Sequence, residues 1–290
     1  MHNSLVELAQ QAPLCSDPAM VRGILAESQD LARNAIDHNE SPHELVAWYS
    51  QLVTDVLHSE GVRSLTNGAD IVLTGPVGRG DALPSSPIKW LTVGDSGTSS
   101  APLTALLQDI GLNTEETPFG AQALTRQQWE ERIMEADGAG LAIFADAGTW
   151  FLRAVLDRGD HAALLNEARR YELPAVQTKD GLPIQDVPVN IRQDLLYPII
   201  AIARWASVAA GSEATSTPER VEAATKAGVL NEAQASDLLQ AWDAGLQLQF
   251  RRFADRVHTS YTTAAYLLPI QRSTFGAAAR MVSGVMRSLG

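Results

Sequence analysis

The sequence predicts an α+β fold, in which an α/β core lies between an N-terminal helical segment and a C-terminal antiparallel helix bundle. Residues 1–60 carry apolar side chains at helical spacing. Between residues 61 and 175, short β-type runs alternate with helical stretches. From residue 185 to 290, apolar helical patterns are separated by short connections, which is typical of an antiparallel bundle.

Composition and charge restrict the classes of function. The 290 residues include 22 Lys and Arg against 34 Asp and Glu, which gives a net charge of −12 at pH 7. An acidic chain without a Lys/Arg run is unlike a nucleic-acid-binding protein, so we expect no nucleic-acid partner. A single cysteine, Cys15, allows no intramolecular disulfide and no thiolate metal cluster. The sequence shows no secretory leader pattern and no 18-residue apolar run, which predicts a soluble, cytoplasmic protein without a membrane partner.

Local signals place the elements of the first 150 residues. Ser41-Pro42-His43-Glu44 resembles a capping box with proline at the first helical position, which predicts a helix over residues 45–57. The β-type runs at 70–74 and 88–93 predict two strands, and the apolar run at 140–145 predicts a third. The stretch at 102–110 is expected to be helical, with Gly111 at its end.

The second half of the chain shows helical patterns, and some of these helices have clear N-cap signals. Thr217 is the expected N-cap of one helix, with proline at its first position, and Asn231 with Gln234 forms the expected capping pair of another. The best linker candidate is the stretch at 174–188. The remaining expected helices are those at about 150–171, 191–210 and 271–289.

The segment Ile71–Trp90, IVLTGPVGRGDALPSSPIKW, carries the clearest chemical pattern. A strand leads into a turn that contains Gly75 and Gly78, followed at once by Arg79. Glycines let the backbone approach a phosphate closely, and a basic side chain beside such a turn is an ingredient of an anion site. The same glycines are equally typical of a tight turn without a ligand, so both interpretations stay open.

This segment resembles the nucleotidyltransferase-like domain of the DUF294 family, which is related to the PII uridylyltransferases. The family pattern is Gly-Ser-x-Gly-Arg-x-Glu, followed after four residues by Ser/Thr-Asp-x-Asp. The chain departs from it where Pro76 replaces the phosphate-contacting serine, and where Pro87 and Lys89 replace the two metal-binding aspartates. The matching residues are Gly75, Gly78, Arg79, Asp81 in place of the glutamate, and Ser86.

The resemblance continues along residues 40–290 and implies two domains. It implies a polymerase-β-type nucleotidyltransferase-like core at 61–175 and a helical substrate-binding domain at 185–290. On that helical domain, Arg192, Arg204 and Arg220 are candidates for a substrate-binding face. The alternative is that these arginines extend along helix surfaces and pair with acidic neighbours.

The functional hypothesis depends on the two family aspartates that this chain lacks. Two-metal phosphoryl transfer needs anionic oxygen ligands for Mg²⁺; Pro87 offers none, and Lys89 adds a positive charge. We therefore expect a non-catalytic regulatory protein that binds a nucleotide or another anionic small molecule without a metal. The expected binding residues are Gly75, Gly78, Arg79 and Lys89.

Two other functions stay open. An active, uridylyltransferase-like enzyme that modifies a regulatory protein would need Mg²⁺ held by other carboxylates, such as Asp81 and Asp95, and convergence of these with Asp146 would favour it. A helical scaffold that binds a regulatory protein partner through residues 190–290 is the third hypothesis. The sequence names neither the nucleotide nor the partner.

Overall fold

The chain folds as two units, Met1–Arg158 and Gly159–Gly290. The computed structural model describes residues 1–95, 97–171, 177–179, 182–257 and 262–289. The sequence predicts the boundary between residues 175 and 185, whereas the units divide at 158/159. The linker candidate at 174–188 lies in part outside the described residues.

The first 63 residues are helical, as predicted. Trp48 joins two of these helices because its indole N–H donates to the carbonyl of Leu5 at 2.8 Å. The third helix begins at Pro42 as expected, but among the described residues the Ser41 side chain accepts no capping hydrogen bond. The helices are α1 (Asn3–Gln11), α2 (Pro18–Asp37), α3 (Pro42–Leu57) and α4 (Glu60–Arg63).

The middle of the chain contains a two-stranded antiparallel sheet with helices around it. Strands β1 (Asp70–Thr74) and β2 (Lys89–Val93) pair so that Thr74 lies opposite Lys89. The predicted glycine turn between them is the short helix α5 (Gly75–Arg79). The helices that follow are α6 (Ala101–Asp109), α7 (Arg126–Glu135), α8 (Gly138–Asp146) and α9 (Thr149–Arg158).

The prediction of a third strand at 140–145 was wrong, because these residues lie in α8. Asp137 caps this helix by accepting a hydrogen bond from the Gly140 amide at 2.9 Å. Leu141, Phe144 and Ala145 are then buried at helical spacing. A short, continuous apolar run fits a buried strand and a buried helix equally well, so its pattern did not discriminate between them.

An aromatic cluster packs α7, α8 and α9 against β2. The Trp129 ring lies 6.0 Å from Phe144 and 5.7 Å from Phe151, both edge-on. Its indole N–H donates to the Thr92 carbonyl at 3.1 Å. This cluster fixes α8, and with it Asp146, relative to the sheet.

The second unit is helical, as predicted. The Asn231–Gln234 capping box is present, with both hydrogen bonds at 2.9 Å. The preceding helix is capped by Ser216 rather than by Thr217, since the Ser216 hydroxyl accepts from the Glu219 amide. The helices are α10 (His161–Ala168), α11 (Tyr197–Ala209), α12 (Thr217–Lys226), α13 (Glu232–Ala254) and α14 (Pro269–Ser288).

Short strands and a π-helical turn complete this unit. The π-helical turn, Arg192–Leu196, leads directly into α11. The strands are β3 (Thr178–Lys179), β4 (Leu182–Pro183), β5 (Pro188–Val189) and β6 (Thr262–Thr263), paired antiparallel as β3 with β4 and β5 with β6.

None of the helices in the described ranges combines the length and the apolar character that crossing a membrane requires.

Candidate functional site

The glycine-rich segment lies where β1 passes into α5, beside the first residue of β2. Gly75 has a φ of +62°, a conformation that L side chains rarely adopt. A Cβ atom built on Gly75 would lie 3.4 Å from the Cδ atom of Lys89, so the lysine stem passes directly over this turn. Pro76, at the start of α5, has no backbone N–H to offer a phosphate.

Gly78 lies on the interior side of α5. A Cβ atom at this position would be 2.5 Å from the carbonyl oxygens of both Leu73 and Asp146. The glycine is therefore needed for close packing of α5 between the end of β1 and the end of α8. This role accounts for Gly78 without a ligand.

Arg79 is buried between two carboxylates. Its side chain is 5% exposed; its Nε donates to Asp81 Oδ2 at 3.1 Å, and its Nη1 donates to Asp146 Oδ2. Burial by itself lowers the pKa of Arg79, but the carboxylates of Asp146 and Asp81 outweigh it and raise the pKa above its ordinary value. The guanidinium is thus a fixed positive charge that holds the end of α8 to the loop after α5.

At the two positions where the family has aspartates, this chain has Pro87 and Lys89, and neither can serve as an acidic metal ligand. Pro87 is buried, and the Ser86 hydroxyl just before it accepts a hydrogen bond from the Leu83 amide at 3.0 Å. Lys89 Nζ lies 2.5 Å from Glu115 Oε2, in an ion pair whose side chains are 29% and 51% exposed. The lysine charge at this end of the sheet is therefore balanced by a neighbouring acid.

These residues do not fit a magnesium site. Asp81 and Asp146 do converge, but on the guanidinium of Arg79, which takes the place that a cation would need between them. Asp95 is exposed. Among the described residues, no group of three His, Cys, Asp or Glu side chains is arranged to hold a metal ion.

Lys89 can be changed without disturbing the fold. Replacing it with glutamine should alter the free energy of unfolding by less than about 1 kcal/mol, because partly exposed ion pairs contribute little. Urea denaturation followed by tryptophan fluorescence measures this. A loss several times larger would mean that the Lys89–Glu115 pair holds the sheet together.

The three arginines predicted for a substrate face occupy different environments. Arg204 and Arg220 are buried, 9% and 1% exposed, in α11 and α12. The Nε of Arg220 donates to the Ala214 carbonyl at 3.1 Å. Arg192 is half-buried at the start of the π-helical turn, and its charge lowers the pKa of Arg252, as burial of Arg252 does to a larger extent.

A cleft of about 630 Å³ lies in the helical unit, at the end of α13 and the start of α14. The sequence patterns did not predict it, because they predict helices before and after this stretch and no element at residues 255–270. The pair Arg251-Arg252 followed by polar Thr262-Thr263 was the available signal. The lining residues are Leu248, Arg251, Arg252, Asp255, Val257, Thr262, Thr263, Tyr266, Leu267 and Gln271.

Comparison with known proteins gives a match to a family model in the helical unit. Residues 159–279, nearly all of the helical unit, match the DUF294_C family model, described as "Putative nucleotidyltransferase substrate binding domain". No curated protein matches the chain. This match supports the assignment of the helical unit to the DUF294 family of nucleotidyltransferase-like proteins.

Proposed function

We propose that this chain is a nucleotidyltransferase-like protein that has lost transfer activity and acts as a regulatory protein by binding an anionic small molecule. The observation that carries the proposal is the buried Arg79, whose guanidinium lies between Asp81 and Asp146. Together with Pro87 and Lys89 at the aspartate positions, it occupies the two carboxylates that converge here, and the described part of the chain has no group of three side chains arranged to hold a metal ion.

The distribution of charge supports a ligand in the helical unit rather than at the glycine turn. Residues 1–158 contain nine Lys and Arg against 21 Asp and Glu, whereas residues 159–290 contain 13 of each. The whole negative charge of the chain therefore belongs to the first unit, and its field disfavours an approaching anion there. Two of the residues expected to bind an anion at the glycine turn, Arg79 and Lys89, are already paired with acidic side chains.

The lack of transfer activity is tested with the full chain and radiolabelled ATP, UTP, CTP and GTP, in Mg²⁺ or Mn²⁺. We expect no labelled product and no release of pyrophosphate, because the chemistry needs metal ligands, and no such group is found within the residues that the structure describes. We also expect no Mn²⁺ binding by electron paramagnetic resonance.

Metal-dependent transfer to any acceptor would contradict the proposal. It would instead favour an active, uridylyltransferase-like enzyme, whose metal ligands would have to be found away from Arg79.

A further inference from the structure

The described residues that line the cleft run from Leu248 in α13 to Gln271 in α14, and they include both residues of β6. Strand β5 pairs with β6, and the Ala264 amide donates to the Val187 carbonyl at 2.9 Å. Because β5 is followed at once by the π-helical turn, this pairing brings Arg192 to the same region as Thr262 and Thr263. The volume of about 630 Å³ is in the ordinary range for a small-molecule site.

The packing of α13 on the π-helical turn fixes the position of Arg252. A Cβ atom on Gly245 would be 2.6 Å from Leu196 Cδ2, so the helix lies directly on this turn. Arg252 follows Gly245 by seven residues, about two helical turns, and therefore lies on the same face. This register places its guanidinium near that of Arg192.

The lining carries positive charge at an electrostatic cost. Arg251 is held by Asp255, with Nε to Oδ2 and Nη2 to Oδ1 distances of 3.0 Å each. Burial lowers the pKa of Arg252 below its ordinary value, and the nearby charge of Arg192 lowers it further. An anion bound in the cleft would relieve both effects.

The rest of the lining offers surface for an apolar, planar group. Tyr266 is 82% exposed, which is unusual for an aromatic side chain at the mouth of a cleft. Leu248, Val257 and Leu267 add aliphatic surface, and the hydroxyl groups of Thr262 and Thr263 add polar contacts. Aromatic rings of this kind stack on nucleobases, and arginines bind phosphate oxygens.

We infer that this cleft binds a nucleoside phosphate, with its phosphate groups at Arg252 and Arg251 and its base against Tyr266. The inference rests on the proposed function, because it names the site and the chemical class of the anionic ligand. It differs from the sequence-based expectation, which assigned the substrate face to Arg192, Arg204 and Arg220.

The test is calorimetric titration of the full chain with ATP in a buffer that contains EDTA, so that no divalent metal contributes. Replacing Arg252 with glutamine should weaken ATP binding about tenfold, because it removes a charged hydrogen-bond donor from the phosphates. Replacing Tyr266 with alanine should weaken it about fivefold or more by removing the stacking surface. Tyr266 is so exposed that the second variant tests the cleft without disturbing the fold.

Two control variants change similar side chains outside the lining. Arg170→Gln removes an exposed arginine of the same unit, which pairs with Glu167 at 2.8 Å. Ile270→Ala removes a 72% exposed apolar side chain close to Tyr266 in sequence. Both variants should bind ATP as the wild type does.

Titrations with pyrophosphate and with adenosine test the phosphate contacts and the base contact of the proposed ligand separately. ATP should bind more tightly than either, and equal binding of ATP and pyrophosphate would overturn the contact between the base and Tyr266. Absence of ATP binding, or an Arg252→Gln protein that binds like Arg170→Gln, would overturn the cleft as the site. Loss of binding in Lys89→Gln instead would place the ligand at the glycine turn.

These outcomes are independent of the transfer assay. A chain that binds ATP in the cleft and also transfers nucleotides would refute the lack of activity alone. A chain that neither transfers nucleotides nor binds ATP would refute the cleft alone.

Discussion

Replacing Asp146 with asparagine should lower the free energy of unfolding of the first unit by about 1.5–3 kcal/mol. The Arg79 side chain is 5% exposed and is compensated by Asp146 and Asp81. The variant leaves the buried guanidinium with the carboxylate of Asp81 alone, and water cannot replace the lost charge-assisted hydrogen bond to Asp146 there. The asparagine has nearly the same shape, so the effect reports charge rather than packing.

Urea denaturation followed by tryptophan fluorescence measures this change, since four of the six tryptophans lie in residues 1–158. Asp95→Asn is the matched control: Asp95 is exposed, and its replacement should change stability by no more than about 0.5 kcal/mol. If the two variants were equally stable, the contact between Arg79 and Asp146 would not be what holds α8 in place.

Replacing Gly78 with alanine should destabilise the same unit by about 1–3 kcal/mol, or by more where the backbone cannot move. The new Cβ atom would stand 2.5 Å from the carbonyl oxygens of Leu73 and Asp146. Both are backbone atoms, so relief requires α5 to shift away from β1 and α8. That shift would also disturb Arg79, the next residue.

Gly23→Ala is a control for which we expect a change of opposite sign in the free energy of unfolding. Gly23 lies inside α2, and no atom outside its own helix and chain neighbours lies within 4 Å of the position of its new Cβ. Alanine is the better helix former, so this variant should gain about 0.5–1 kcal/mol. A Gly78→Ala protein as stable as the wild type would show that α5 is not closely packed. Denaturation curves of the two variants, recorded side by side, make the comparison.

Local signals in the sequence predicted local structure well. The capping box of Asn231 and Gln234 formed as predicted, because its partners are three residues apart and its geometry is set by the backbone. The error at 140–145 arose where burial, rather than local propensity, decides between helix and strand. The family resemblance was confirmed in the helical unit, where residues 159–279 match.

The candidate site depended on contacts that one sequence does not reveal. Arg79 meets Asp146, which lies 67 residues further along the chain, and no spacing rule links the two positions. The sequence marked Arg79 as a basic residue beside a glycine turn, but not the acids that surround it. The cleft was equally hidden, because much of its lining lies at residues 255–267, where no sequence pattern predicted an element.

The pairing of β5 with β6 has a consequence for how the helical unit folds. Strands β5 and β6 contain two residues each and are separated by more than 70 residues, so little local order favours their meeting. We expect α11, α12 and α13 to form before the strands pair, because closing the loop has an entropic cost that the packed helices help to offset. We therefore expect this wall of the cleft, which includes Thr262 and Thr263 of β6, to form late in folding. A ligand that needs this wall would bind only chains whose helical unit is completely folded, and mass action would then protect that unit against local opening.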